Sequence, residues 1–306
     1  MPPIPAFSDD ARRHRHAPTH GQVRLTATIG AQVLDAARHD AVLWLVLRGQ
    51  VEVRAREGEF RLGARDWIAL QRESAPLAMS GGDALLLGIG IGIGSADGLQ
   101  AGGVMAGRGR MAHGMRSRAL RLWHALGVLA STDGYAVDAD GALVVSEFVA
   151  ALQAELIDGI ERCPGHSGRR KLQILQRMQR ARLCLEGQAG DGLRIGELAR
   201  RINFSPWYFS KVFHAVYGEG PLQFVARMRL EQASRLLKTT RMPVTEVSAA
   251  CGFDSPCSFA RAFRARFGMT ASEHRLRNAH HKGDPRRIKP SGDWRKSMPQ
   301  YVRGVR

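Results

Sequence analysis

The sequence predicts an α+β chain in which a β-rich N-terminal half precedes an all-helical C-terminal half. Three observations carry this reading. From about Val23 to Ile93, short apolar runs and alternating stretches are cut by Gly turns, the pattern of strands. From Lys171 to about Arg277, apolar residues recur at helical spacing almost without a break. Inside that helical half one short stretch occurs twice, as SPWYFSKVF at 205–213 and SPCSFARAF at 255–263.

The bulk composition bounds the answer. A chain of 306 residues suffices for two domains, and 44% hydrophobic residues favour a packed core over wholesale disorder. The formal net charge of +17 points to a polyanionic partner, nucleic acid or an anionic membrane surface. The bland alternative is a soluble protein of an Arg-rich proteome. No segment reaches the ~18 consecutive apolar residues of a spanning helix. The stretch MPPIPAFSDDARRHRH lacks the apolar region of a secretory signal. Cys163, Cys184, Cys251 and Cys257 form no CxxC pair and suit neither a zinc site nor a disulfide framework. A cytoplasmic, reduced protein with no membrane partner is expected.

Residues 1–22, rich in Pro, His and Arg, read as a flexible arm. In AVLWLVLRGQVEVRA an apolar run meets a turn at Gly49 and then alternation at Val51, Val53 and Ala55. EGEFRLGARDWIAL repeats the theme with turns near Gly58 and Gly63, and DALLLGIGIGIG closes the set. Many short strands at close spacing predict a small sandwich or barrel. A Gly-rich break at 98–114 follows, then two helices, one with Leu120, Trp123, Leu126 and Leu129 in a stripe and one with Phe148, Leu152 and Leu156. The β region and these helices form one domain, 23–162. CPGHSGRR marks a linker at 163–172, the helical domain covers 173–278, and 279–306 is a basic tail broken by Pro and Gly.

In the first copy of the repeat, Ile195, Leu198, Ala199 and Ile202 make one apolar stripe. Asn203 stands where positive φ ends that helix. Ser205 is an N-cap, and Pro206 fits the first turn of the next helix because its missing N–H costs nothing there. Phe209, Val212, Phe213 and Val216 face the core, which leaves Trp207, Ser210, Lys211 and His214 outside. In the second copy Gly252 replaces Asn203, Asp254 or Ser255 is the cap, and Pro256 starts the helix. Phe259, Ala262 and Phe263 face in, with Cys257, Ser258, Arg261 and Arg264 outside. One extra residue lies between turn and cap. Two helices joined so tightly, the second capped and polar outside, make a helix-turn-helix, whose second helix reads the DNA major groove. A helical-repeat scaffold is the alternative, but it normally needs three or more units. The intervening PLQFVARMRLEQASRLLKTT is a spacer helix whose about seventeen helical residues span roughly 25 Å, from ~1.5 Å per residue. It would let one chain read two adjacent grooves.

The residues from about Leu193 to Arg277 closely resemble the DNA-binding domain of the AraC/XylS family of bacterial transcription regulators. The motifs that carry this are ELARRINFSPWYFSKVF, RMRLEQASRLL and VTEVSAACGFDSPCSFARAFRARFGMTASEHR. The last follows the family form hxxhAxxxGFxxxSxFxRxFKxxFGxxPxxYR. Ala271 and His274 stand where Pro and Tyr are usual, and Pro256 and Cys257 where polar residues such as Gln are common. The resemblance implies a cupin-like β-barrel in the N-terminal half that binds a small-molecule effector or mediates homodimer formation. RLGARDWIAL is similar to the cupin turn hxxGDhhhh, with Arg65-Asp66 in place of Gly-Asp. It further implies double-stranded DNA and RNA polymerase as partners, and activation as the commoner outcome. Trp207, Ser210 and Lys211 match base- or backbone-contacting positions of the family's first hairpin.

Lys211 and Arg261 occupy equivalent places in the two reading helices. Each can donate to guanine O6 and N7, worth ~1–3 kcal/mol of discrimination, or contact phosphate without reading sequence. Arg261 is the stronger base-reading candidate. Ser210 and Ser258 offer a hydrogen bond or only van der Waals contact. Trp207 packs on a thymine methyl, on the sugar-phosphate wall, or on its own domain. Arg264, Arg266 and Lys238 serve as backbone contacts or solvated charges. The run GIGIGIG at 88–94 is not a G-x-G-x-x-G fingerprint, since Ile93 falls where the third Gly is needed. RRHRH and His20 lie in the arm, and His39 is the only histidine between Val23 and Ile93, so no metal, cofactor or catalytic residue is expected. Two other readings compete: a cupin-type sugar or keto-acid enzyme with an auxiliary helical domain, and a non-specific architectural DNA binder.

Overall fold

The computed structural model describes residues 23–35, 39–92, 104–127, 135–188 and 194–280. The expected arm, nearly all of the expected tail, Leu129 and the end of the GIGIGIG run lie outside the described residues. The chain separates into two compact units. One extends to Glu155 apart from Glu57–Phe60; the other holds Glu57–Phe60 and everything from Leu156 onward.

The first unit is built from two antiparallel sheets. Its strands are β1 (Val23–Ile29), β2 (Val33–Asp35), β3 (His39–Arg48), β4 (Gln50–Ala55), β5 (Gly58–Gly63), β6 (Asp66–Gln71), β7 (Leu77–Ser80), β8 (Leu85–Gly92), β9 (Gly107–Arg110) and β10 (Tyr135–Ala136). The six-stranded sheet runs β10-β1-β8-β3-β6-β9, and the four-stranded sheet runs β2-β7-β4-β5. At the centre, β3 is buried without alternation from Ala41 to Leu47, because both of its faces are covered. In β4 Val51 and Val53 point inward between exposed Gln50, Glu52 and Arg54. The Gly-Ile alternation of β8 is a packing device. A Cβ at Gly90 would sit 2.3 Å from the His39 ring, so only glycine lets that side chain cross the strand.

Arg65 has φ 77, the left-handed conformation that glycine adopts most readily. It is held there by bonds from its amide to Val46 O at 2.8 Å and from Nη2 to Met111 O at 3.0 Å. Asp66 closes the turn by accepting from the Gly63 amide at 2.8 Å.

Two helices complete this part of the chain, α1 (Met115–Ala125) and α2 (Ala139–Ile157). Trp123 of α1 is fully buried, meets Phe148 edge-on at 6.1 Å, and donates from Nε1 to Thr26 O at 2.9 Å. Buried Gln153 both accepts from the Met105 amide and donates to its carbonyl, so neither end of the side chain is left unpaired.

The second unit is helical: α3 (Gly168–Gly187), α4 (Ile195–Arg201), α5 (Pro206–Tyr217), α6 (Pro221–Thr239), α7 (Val244–Ala250), α8 (Pro256–Phe267) and α9 (Ala271–His280). The stretch expected as a linker contains the start of α3. Ser167 accepts from the Arg170 amide at 3.3 Å and caps a helix whose Ile174, Leu175 and Met178 are buried. A cap and an apolar stripe outweigh the local Gly, Ser and Arg content.

Candidate nucleic-acid interface

The two hairpins are built alike, bond for bond. After α4, the Asn203 amide donates to Arg200 O at 3.0 Å and the Phe204 amide to Ala199 O at 2.9 Å. After α7, the Gly252 amide donates to Ala249 O at 2.9 Å and the Phe253 amide to Ser248 O at 3.2 Å. Each pair is a Schellman termination, which requires a left-handed residue at its centre. Asn203 has φ 56 and Gly252 has φ 74. The next helices share the same N-cap bond. Ser205 Oγ accepts from the Tyr208 amide and Ser255 Oγ from the Ser258 amide, both at 3.2 Å.

The repeat extends one helix further than the two hairpins. Fifty positions separate Ser205 from Ser255, Gly218 from Gly268, and Phe224 from His274. Gln223 reaches back to the Gly220 amide at 3.1 Å, and Glu273 to the Thr270 amide at 2.8 Å. In the second case Thr270 also accepts from the Glu273 amide, completing a capping box. The hydrogen bonds from Thr270 hold Glu273 below the usual carboxylate range. Phe224 packs edge-on against Phe213 at 5.6 Å, and His274 against Phe263 at 5.4 Å. Each unit is thus hairpin plus following helix, and α6 is at once the third helix of the first unit and the spacer.

That spacer is tied to both copies. Phe224 belongs to the first core, while Leu230, Ala233 and Leu237 join Val247, Cys251, Phe259 and Phe263 in the second. Arg229 donates to Gly252 O at 2.8 Å, fixing the second turn to α6. Arg227 lies 2.8 Å from Glu219, two residues beyond α5, and 3.1 Å from Glu231, which in turn is 3.5 Å from Arg266 on α8. This chain of charges links the turn after α5 to α8. Because α6 has 19 residues it is about 28 Å long at ~1.5 Å per residue.

The inner faces of α5 and α8 are committed to Phe209, Val212, Phe213, Phe259 and Phe263. Trp207, Lys211, His214, Cys257, Arg261 and Arg264 are exposed. Trp207 is 71% exposed, so it is not packed into its own domain, and the Lys211 ammonium lies over its ring at 5.0 Å. Neither α5 nor α8 contains an acidic residue. Ser210 and Ser258 are half-buried and have local tasks. Ser210 donates to Pro206 O at 2.9 Å, which leaves its oxygen only as an acceptor. Ser258 donates to Ser255 O at 2.8 Å and takes the Ser255 hydroxyl at 3.1 Å. The fifty-residue offset aligns Ser258 with Tyr208, not with Ser210, so the two serines are not equivalent.

Sequence reasoning passed over the basic N-terminal half of α3, where Arg169, Arg170 and Arg177 face a cleft beside Phe204 and Tyr208. Their i, i+7 spacing from Arg170 to Arg177 is the signal that finds them. Among the described residues no group of three His, Cys, Asp or Glu is placed to hold a metal, and no helix is long and apolar enough to cross a membrane.

The family model described as a helix-turn-helix domain matches residues 198–277. The HTH-type transcriptional regulator Rv1931c of Mycobacterium tuberculosis is 40% identical over 89 residues, 29% of this chain and 34% of that protein. The HTH-type transcriptional activator AarP of Providencia stuartii is 29% identical over 92 residues, 30% of this chain and 68% of that protein. The crystal structure of the DNA-binding domain of AdpA in complex with a target DNA is 27% identical, covering 35% of this chain and 96% of that one at a TM-score of 0.34. The match to the Mycobacterium tuberculosis regulator therefore spans about a third of its length. The region from α4 to α9 is an AraC-type helix-turn-helix domain, preceded in the chain by a unit of two antiparallel sheets.

Proposed function

We propose that the chain is a sequence-specific DNA-binding transcription regulator that reads two successive major-groove faces with α5 and α8. The observation that carries this is the pair of capped helices with equivalent cations, Lys211 and Arg261, outside and phenylalanines inside, joined by one packed spacer. Trp207, Lys211, Cys257 and Arg261 present to base edges or the groove wall. His214 and Arg264, one turn further along, contact the sugar-phosphate backbone. Ser210 acts as an acceptor for an exocyclic amine, and Ser258 orients the start of α8. A distinct pattern of outward residues on each helix favours sequence reading over architectural coating, which needs only charge.

The β unit and its helices serve as the regulatory half, binding a small effector or pairing two protomers, and so change occupancy or contact with RNA polymerase. Activation is the favoured sign, in line with the activator among the relatives. No catalytic role is proposed for the β unit. A gel-shift assay on fragments upstream of neighbouring genes tests the reading. A discrete complex that survives excess random duplex supports it, and binding that random duplex abolishes equally on every fragment refutes it.

A further inference from the structure

The first repeat carries a cleft that base reading does not use. It opens between the N-terminal half of α3 and the corner leading into α5, with a volume of about 450 Å³. Arg169, Arg170, Gln173 and Arg177 line one side, Phe204 and Tyr208 the other, and no acidic residue contributes. Arg170, Gln173 and Arg177 follow one another at three and four residues, so they share a face of α3. All three arginines are exposed, and among the described residues none is paired with a carboxylate. Other arginines of the same unit are committed: Arg182 to Glu186 and Arg227 to Glu219 and Glu231. Arg177 lies over the Phe204 ring at 5.5 Å. Unpaired guanidiniums around a concavity focus positive potential, and their forked donors match phosphate oxygens.

Position identifies the source of the phosphate. Tyr208 is in the first turn of α5 beside Trp207, and Phe204 leads into the Ser205 cap. The cleft therefore adjoins the end of the reading helix that approaches the duplex in a helix-turn-helix. We propose that this cleft clamps a backbone phosphate of the same duplex, on the flank of the groove that α5 reads, through Arg169, Arg170 and Arg177. The proposal rests on the DNA-reading function above and extends the contact surface to α3. The clamp fixes register and adds affinity without reading bases.

The test uses the full chain and a duplex that the wild type itself selects from a random library, against a scrambled duplex. R169Q/R170Q keeps the side-chain stems and removes the charge. It is expected to weaken both duplexes alike, by about threefold to tenfold at physiological salt, and to lower the salt slope by about 0.9 per phosphate lost. The preference for the selected duplex stays, and phosphate-ethylation interference disappears on one flank only. R169K/R170K, which retains the charge, restores the slope and shows that folding is intact. An unchanged slope and interference pattern in R169Q/R170Q overturns the clamp while leaving base reading in place. A wild type that prefers no duplex overturns both. Pyrophosphate provides the other arm. If it binds the wild type but not R169Q/R170Q while the DNA salt slope is unaltered, the cleft takes free anions and the duplex clamp is wrong.

Discussion

Replacing Ser234 by Ala and His274 by Phe, singly and together, probes how the second reading helix is supported. The two repeats put different residues at one packing position, Phe224 in the first and His274 in the second. His274 is 8% exposed and Ser234 7%, and His274 Nε2 lies 3.0 Å from Ser234 Oγ. Ser234→Ala leaves a buried ring nitrogen without this partner and should cost about 1–3 kcal/mol. His274→Phe removes the ring nitrogen from the Ser234 hydroxyl but adds aromatic packing against Phe263, so its cost is smaller. The double replacement removes both polar partners and is expected to be close to neutral, which gives a coupling of about 1–3 kcal/mol. A pH dependence accompanies this. Burial holds His274 below the usual imidazole range, with the positive charges of Lys238 and Arg277 adding to the effect. The unfolded chain therefore takes up a proton near pH ~6.5 that the folded chain refuses. Stability is level above that pH and falls as pH falls, by at most about 1.4 kcal/mol per unit, until the folded imidazole titrates as well. Hydrogen exchange of α8 and α9 amides in the full chain, from pH 7.5 to 5 and corrected for intrinsic rates, reads this locally. A His274→Phe variant with the wild-type pH slope, or a double variant as destabilised as the sum of the singles, refutes the reasoning.

The matched turns respond oppositely to substitution. Asn203→Gly relieves a left-handed non-glycine residue and should leave the unfolding free energy read from a urea titration unchanged or raised by up to about 1 kcal/mol. Gly252→Ala places a Cβ 3.1 Å from the Arg229 guanidinium at φ +74 and should lower stability by about 1–2 kcal/mol. Ser205→Ala and Ser255→Ala each lose a cap worth about 1 kcal/mol, which the same unfolding series measures. In thiol alkylation at neutral pH, exposed Cys257 reacts first. Burial pushes the Cys251 thiol up to about 12 and Cys184 up to about 11, so these stay unmodified in the native chain. A selected duplex should slow labelling of Cys257, whereas random duplex at the same concentration should not; equal protection by both would remove Cys257 from the reading surface.

Much of the helical half was legible because its signals are local. Ser-Pro before an apolar i, i+3, i+4, i+7 stripe specifies a cap and a buried face together, and Ser205 and Ser255 both do this. The left-handed turns were legible from Asn203 and Gly252 for the same reason. On the spacer Leu222 is 71% exposed, while Phe224 and Ala233 carry the packing, because α6 changes its inward face as it passes from one core to the next. On α1 the expected stripe holds at Trp123, but Ala119 is buried where Leu120 was expected, and the docking of Trp123 onto Thr26 O decides that register. The role of Ser258 as part of its own cap needed coordinates, since an exposed-face serine and a capping serine share one sequence pattern. The i, i+7 spacing of Arg170 and Arg177 marks one wall of the α3 cleft, but Phe204 and Tyr208 of the other wall lie some thirty positions further along the chain, and no periodicity joins the two.

The most direct measurement is the architecture of the DNA sites that the full chain selects from a random duplex library, compared with those selected by K211A and R261A. Two short sequence elements should emerge with centres about 10 base pairs, roughly 34 Å, apart. K211A should relax one element and R261A the other, each by about 1–3 kcal/mol of discrimination. A single element, a pair at variable spacing, or one element relaxed by both substitutions would contradict two helices held by one spacer on successive grooves.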